Sequence, residues 1–212
     1  MENMYKFKGE EGGDFSETIR IFNVSIALKP SSSAYIGLGK AYLYSYDFEN
    51  AIASYKNAIE LDENNAEAFT RLGWAYYWLN DADSALEYFE KSKVMAPNYY
   101  LNYLGIGRVH MVLLNDSIGA IPYFEEAVAL NPYDPTNLGN LGDALFLSGQ
   151  YIKSLEFFNK TIQLDPEAKS MYSDYYAYSG LALIQIGEFK KAIEPLNKML
   201  KLKPGRKAEM FS

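Results

Sequence analysis

An all-α solenoid of stacked antiparallel helix pairs is the fold this sequence predicts, and three observations carry it. Glycines recur at 39, 73, 107, 142 and 180, with successive gaps of 34, 34, 35 and 38 residues. A similar apolar phrase surrounds each glycine, and a phrase of small, large and small residues follows it. A proline or its substitute closes each unit, at Glu63, Pro97, Pro132, Pro166 and Pro204. A fixed period between about 20 and 50 residues marks a chain whose units bury their apolar faces against their neighbours, with no single central core.

Taken in order, the chain opens on a fragment of a unit. Asp14-Phe15, Thr18, Phe22, Ser25 and Pro30 align with Asp47-Phe48, Ala51, Tyr55, Ala58 and Glu63. Residues 1–31 are therefore a partial repeat whose second helix spans about 15–29. Lys6, Gly9, Gly12 and Gly13 make residues 2–12 a poor first helix, because each glycine costs about 1 kcal/mol relative to alanine. Five full units follow, at 32–65, 66–99, 100–134, 135–168 and 169–206, and residues 207–212 read as the truncated start of a further helix.

Each unit pairs two helices. In the first, apolar positions lie four before, one before and three after the glycine. They read Tyr35, Leu38, Tyr42; Phe69, Leu72, Tyr76; Tyr103, Ile106, His110; Leu138, Leu141, Leu145; and Tyr176, Ser179, Leu183. Spacings of three and four put each trio on one helical face. The glycine itself predicts close approach by the second helix. That helix carries Ala51, Tyr55, Ala58; Ala85, Phe89, Ser92; Ala120, Phe124, Ala127; Ser154, Phe158, Thr161; and Ala192, Leu196, Met199. Short turns such as Ser45-Tyr46-Asp47, Asn80-Asp81 and Gly187-Glu188 join the two, and the closing proline, lacking an N–H, ends the second helix.

Two units depart from the pattern. Gly107 and Ala120 are 13 apart, against 12 between Gly39 and Ala51. Pro166 and Gly180 are 14 apart, against 10 from Pro97 to Gly107. Four extra residues are close to one helical turn, which predicts a first helix in the fifth unit lengthened from near Lys169 or Ser170. A looser loop over 167–170 is the alternative. Tyr172 and Tyr175 would then extend one edge. Pro122 and Pro195 fall inside second helices and are expected to bend or weaken them.

At this point the chain resembles the tetratricopeptide repeat (TPR) family, in which an aromatic, leucine, glycine and tyrosine on one helix precede alanine, an aromatic, alanine and proline on the next. The run Phe69, Leu72-Gly73, Tyr76, Ala85, Phe89 and Pro97 matches nearly every element, and the resemblance covers about residues 32–206. It implies a right-handed superhelix with the first helices lining the concave surface. It also implies a non-catalytic scaffold for protein–protein interaction.

Composition narrows the chemistry. A net charge of −7 and a pI near 4.9 argue against general nucleic-acid binding, which needs a broadly basic surface. No apolar run reaches the roughly 18 residues of a membrane span, and no signal peptide is visible at the start, so a cytoplasmic location is the expectation. Cysteine is absent, which removes disulfides, thiolate metal sites and cysteine nucleophiles. The single histidine, His110, stands where other units carry Tyr42, Tyr76, Leu145 and Leu183, so it reads as a packing residue. Glu125 and Glu126 read as solvated surface, and the lysines from residue 188 onward as charges suited to the end of a helix. No catalytic set, metal site or cofactor is expected.

The expected site is the stripe of first-helix residues three before, one after and five after each glycine, away from the packing trio. Its candidates for gripping a peptide are Lys40, Tyr44, Arg71, Trp74, Tyr77, Trp78, Arg108, Asn140 and Asp143, with Gly37, Gly105 and Gly139 leaving room nearby. Both tryptophans of the chain lie on this stripe or beside its cations. Aromatic and arginine side chains are enriched among the residues that dominate binding energy. Some TPR proteins grip a C-terminal carboxylate with lysine, asparagine and arginine. Lys40, Arg71, Arg108 and Asn140 supply those residue types without the family's full arrangement across three consecutive units. The expected partner is a protein or peptide carrying acidic and apolar side chains. Alternatives are a structural module that self-associates through exposed solenoid ends, and the TPR portion of a larger regulatory or enzymatic protein.

Overall fold

The computed structural model describes residues 15–167 and 174–202. Among the described residues there are eleven α-helices and no strand. The chain divides into two compact units, residues 1–97 and 98–212.

The first unit contains α1 (Ser16–Leu28), α2 (Ser32–Tyr44), α3 (Phe48–Leu61), α4 (Ala66–Trp78) and α5 (Ala82–Met95). Each helix packs on the next, and α2 also touches α4. Short turns between packed neighbours make consecutive helices antiparallel. Side chains fix where the helices begin. Ser31, Asp47, Asn65 and Asp81 each accept a hydrogen bond from a backbone N–H in the first turn, satisfying a donor that the helix leaves unpaired. Helix α1 packs on α2. Its Phe22 lies where a side chain on Gly37 would have to go, so Gly37 serves packing rather than widening a groove.

The second unit contains α6 (Tyr100–Arg108), continued by a π-helical segment (Val109–Leu113), then α7 (Ser117–Leu130), α8 (Pro135–Leu147), α9 (Tyr151–Leu164), α10 (Tyr175–Gln185) and α11 (Phe189–Leu202). Again each helix packs on its neighbour, and the first helices α8 and α10 touch. Gly105 and Gly139 are buried within α6 and α8. Helices α7 and α11 run unbroken through Pro122 and Pro195.

The recurring glycines do what their cost predicts. A Cβ placed on Gly39, Gly73, Gly107, Gly142 or Gly180 would lie 2.5–2.9 Å from Tyr55, Phe89, Phe124, Phe158 or Leu196 of the paired helix. The four aromatic members of that column are fully buried, each contributing about 1.5–3 kcal/mol through its burial. Every full second helix stops two residues before Glu63, Pro97, Pro132, Pro166 or Pro204.

The turns repeat as well. The residue seven after the glycine is left-handed at Tyr46, Asn80, Gly149 and Gly187, with φ of 62°, 59°, 80° and 81°. The next N–H then bonds back to the fifth residue before it, as from Asp47 to Tyr42 at 2.9 Å. In the third unit the left-handed residue is Asn115, and Asp116 N–H reaches back six residues to His110 at 2.8 Å. The extra residue between Gly107 and Ala120 is thus absorbed as the π turn, which restores the register before α7.

The fifth unit corrects an expectation. Its first helix is not extended: Asp174 is non-helical (φ −95°, ψ 47°) and α10 begins at Tyr175, five residues before Gly180. In α2, α4, α6 and α8 the start lies seven residues before the glycine. Lys169, Ser170 and Tyr172 lie outside the described residues, as do the N-terminal residues 2–12 and the further helix expected at 207–212.

Candidate functional site

In the first unit, α2 and α4 bring six of the predicted site residues to one region. Lys40 and Tyr44 share a face of α2, while Arg71, Trp74 and Trp78 follow one another at helical spacing along α4. The Lys40 ammonium donates to Glu67 Oε1 at 2.8 Å, and the Arg71 Nη2 and Nε donate to the same oxygen at 3.2 and 3.3 Å. The hydrogen bond from Lys40, reinforced by the charges of both cations, holds the Glu67 carboxyl below the usual carboxylate range against the cost of its partial burial. Two positive charges and one negative charge leave the cluster net positive on an acidic chain.

The aromatic part lies beside it. Trp74 is half-buried and packs edge-to-face on Phe89 of α5 at 5.3 Å and on Tyr77 at 5.5 Å. Trp78, also half-buried, packs edge-to-face on Tyr77 at 5.2 Å. Tyr77 itself is only 4% exposed, so it braces the two indoles from below instead of lining a surface. Tyr44 is exposed and stacks on Phe15 at 5.8 Å.

The remaining three candidates lie in the second unit and are not open. Arg108 and Asp143 are each 6% exposed and Asn140 is fully buried. Arg108 Nη1 donates to Asn140 Oδ1 at 2.9 Å, and Asn140 Nδ2 donates to the Thr136 carbonyl at 2.7 Å. Burial pushes the Asp143 carboxyl well above the usual carboxylate range; Arg108 opposes the shift and Asp174 adds to it. These residues form an internal polar cluster, where the sequence pattern places a surface stripe. His110 is half-buried, stacked on Tyr123 at 5.3 Å, with Nδ1 3.2 Å from Asp116 Oδ2. It packs, as its register predicts.

Two participants are not among the predicted site residues. Glu67 is one, and its signal in the sequence is only its position four residues before Arg71. Tyr55 is the other. It occupies the buried column that holds Phe89, Phe124 and Phe158 elsewhere, and it adds a hydroxyl there. No group among the described residues accepts a hydrogen bond from that hydroxyl. Burial raises its pKa, and it lies within electrostatic reach of Arg71, Tyr44 and Glu67.

The fold and its repeating helix pairs define an α-solenoid repeat protein. Three tetratricopeptide repeat models match, over residues 39–80, 67–98 and 114–169, together more than half of the chain. The chain belongs to the tetratricopeptide repeat family. Among solved structures, YrrB, described as a TPR protein with an unusual peptide-binding site, is 25% identical and superposes with a TM-score of 0.67 over 88% of this chain and 94% of its own. MamA is 26% identical, with a TM-score of 0.67 over 84% of this chain and 94% of its own. Superkiller protein 3 of Schizosaccharomyces pombe is 26% identical over 141 residues, 63% of this chain and 10% of that protein. The chain spans a quarter or less of the length of curated relatives it matches. Among the described residues no helix is long and apolar enough to cross a membrane.

Proposed function

We propose that this chain is a non-catalytic scaffold that holds a peptide segment of a partner protein on the first-helix face of its first unit. The observation that carries the reading is the pair of half-buried tryptophans, Trp74 and Trp78, beside the Lys40–Glu67–Arg71 cluster. Indoles braced by Tyr77 offer large apolar area with little entropy left to lose, which is what a binding hot spot requires. The cations beside them favour a partner with acidic as well as apolar side chains, steering encounter more than adding affinity. YrrB, with its peptide-binding site, supports the class of ligand. Arg108, Asn140 and Asp143 belong to the internal cluster and take no part.

The test is a partner identified by affinity capture and then titrated against purified variants. Trp74→Ala should weaken its binding by at least about 2 kcal/mol. Added salt should weaken it moderately, since screening acts over about 8 Å at physiological ionic strength. A partner that binds Trp74→Ala as tightly as the wild type would move the site away from this face.

A second reading, self-association, is favoured by one observation. On α11, Phe189 is 65% and Ile193 59% exposed. The corresponding Phe48, Ser117 and Tyr151, and Ile52, Ile121 and Leu155, are half-buried where a further first helix follows in the same unit. As part of a longer protein, the chain would supply this interaction surface to an activity located elsewhere.

A further inference from the structure

Two helix faces stay exposed at positions that the repeat covers elsewhere. On α3, Ile52 and Ile59 are half-buried and pack on the buried cluster that holds Ala68, Leu72 and Ala75 of α4. The covering helix thus presents a small, a large and a small side chain at spacings of four and three, a shape into which larger residues interdigitate. Ile193 of α11 stands in the register of Ile52, and Phe189 in that of Phe48, yet they are 59% and 65% exposed. Helix α1 carries the other open face. It packs on α2, with Ile19 and Ile26 half-buried, but no residue of it is fully buried. Its Thr18, Phe22 and Ser25 repeat the small, large, small pattern at the same spacings. Thr18 and Ser25 are exposed, as is Ile21 beside them, whereas the corresponding Ala51 and Ala58 of α3 are fully buried. Charge agrees as well. Residues 9–19 hold Glu10, Glu11, Asp14 and Glu17 and no cation, while Lys198 (3.6 Å from Glu167) and the exposed Lys201 lie late in α11.

We propose that this chain associates with a second copy of itself head to tail, the Thr18–Phe22–Ser25 face of α1 in one copy covering the Phe189–Ile193 face of α11 in the other. This rests on the self-association reading and names both of its surfaces. The docked α1 takes the place on α11 that α4 takes on α3, so the packing of the repeat continues from one chain into the next. Thr18 and Ser25 leave room for Phe189 and Ile193, and the exposed Ile21 adds apolar area beside them. Consecutive helices of the repeat run antiparallel, and the same orientation here sets the acidic start of α1 beside the late lysines of α11. The contact is heterologous: two different faces meet, each copy offers one of each, and the pairing can repeat from copy to copy. Growth ends where either face is blocked.

The test is light scattering on the full chain and on variants at the two exposed faces. Ser25→Lys blocks α1 and Ile193→Lys blocks α11, each by placing a charge where the faces meet. The wild-type mass should climb past the dimer as concentration rises. Each variant alone should stay at the 24.0 kDa monomer with unchanged circular dichroism. An equimolar mixture of the two variants should form a dimer and stop there, because one copy keeps an intact α1 and the other an intact α11. Thr18→Lys, on the same exposed face, should behave as Ser25→Lys does and guards against a variant that fails to fold. If Ser25→Lys and Thr18→Lys still associate while Ile193→Lys does not, α11 meets α11; the head-to-tail pairing then falls although self-association stands. A mixture that stays monomeric would overturn the pairing as well. A wild-type chain that is monomeric at every concentration would remove both the pairing and the self-association reading.

Discussion

Gly73 shows how a residue that weakens a helix in isolation can hold a repeat together. Glycine costs about 1 kcal/mol in a helix relative to alanine, yet a Cβ at position 73 would lie 2.9 Å from two ring carbons of Phe89. That ring is fully buried and braced by Trp74, so it has nowhere to move. Gly73→Leu should therefore lower stability by about 1–3 kcal/mol, the usual cost of overpacking, visible as a lower urea midpoint; an unchanged midpoint would mean the contact yields. Asp143 makes the opposite kind of prediction. Its folded pKa is raised by burial, with Arg108 opposing and Asp174 reinforcing, so the folded chain holds a proton that the unfolded chain releases near the ordinary value of 3.8. Where the folded state binds more protons, stability falls as pH rises. The loss begins near pH 3.8 and continues to the raised folded value. Asp143→Asn keeps the shape and removes the titration. Urea midpoints of this variant should match the wild type at pH 4 and exceed it at pH 7. A variant less stable at pH 7 would show that an ionised Asp143 paired with Arg108 is what the fold uses.

At the scale of the helix pair, the sequence is legible wherever a position is set by one period alone. The glycines, the buried aromatic column and the helix ends before each proline position all recur, and the structure places each at its expected contact. What periodicity cannot assign is a side chain whose environment comes from a different repeat. Arg108 and Trp74 share a register, yet one is buried against Asn140 from the next first helix and the other is half-exposed. The period does not pair Lys40 with Glu67, 27 residues away, yet the fold brings Glu67 beside both Lys40 and Arg71. Insertions divide in the same way. The extra residue after Gly107 gives away its existence but not its form, since a loop, a longer helix and a π turn all absorb one residue. The π turn prevails because Asn115 then adopts the left-handed conformation and Asp116 caps α7 at Gly119 N–H, 2.8 Å away. Deleting Val112, which is 42% exposed, would return the left-handed residue to seven after the glycine. The shortened chain should keep its helix content and lose the π segment, with a melting temperature equal to or above the wild type. A marked loss of stability on deletion would show that packing of His110 on Tyr123 depends on the wider turn.

For the whole molecule, a repeat array has no closed core, so its ends carry a cost that its middle does not. The exposed apolar residues of α11, Phe189 and Ile193, sit in the register where Ile52, Ile121 and Leu155 meet the next first helix. Scattered apolar residues on a surface are ordinary; Phe189 and Ile193 instead lie together on one helix, in a position that internal repeats cover. Exposed lysines flank them, with Lys190 and Lys191 in the first turn, so added positive charge should oppose contact between two copies more than it disturbs the fold. Light scattering on the full chain should show a mass rising with concentration, and Ile193→Lys should hold it at the monomer value while circular dichroism stays unchanged. Binding at the α2–α4 face should be unaffected by that substitution, because α11 belongs to the other compact unit. A wild-type chain that stays monomeric at millimolar concentration would mean that α11 is not an association surface.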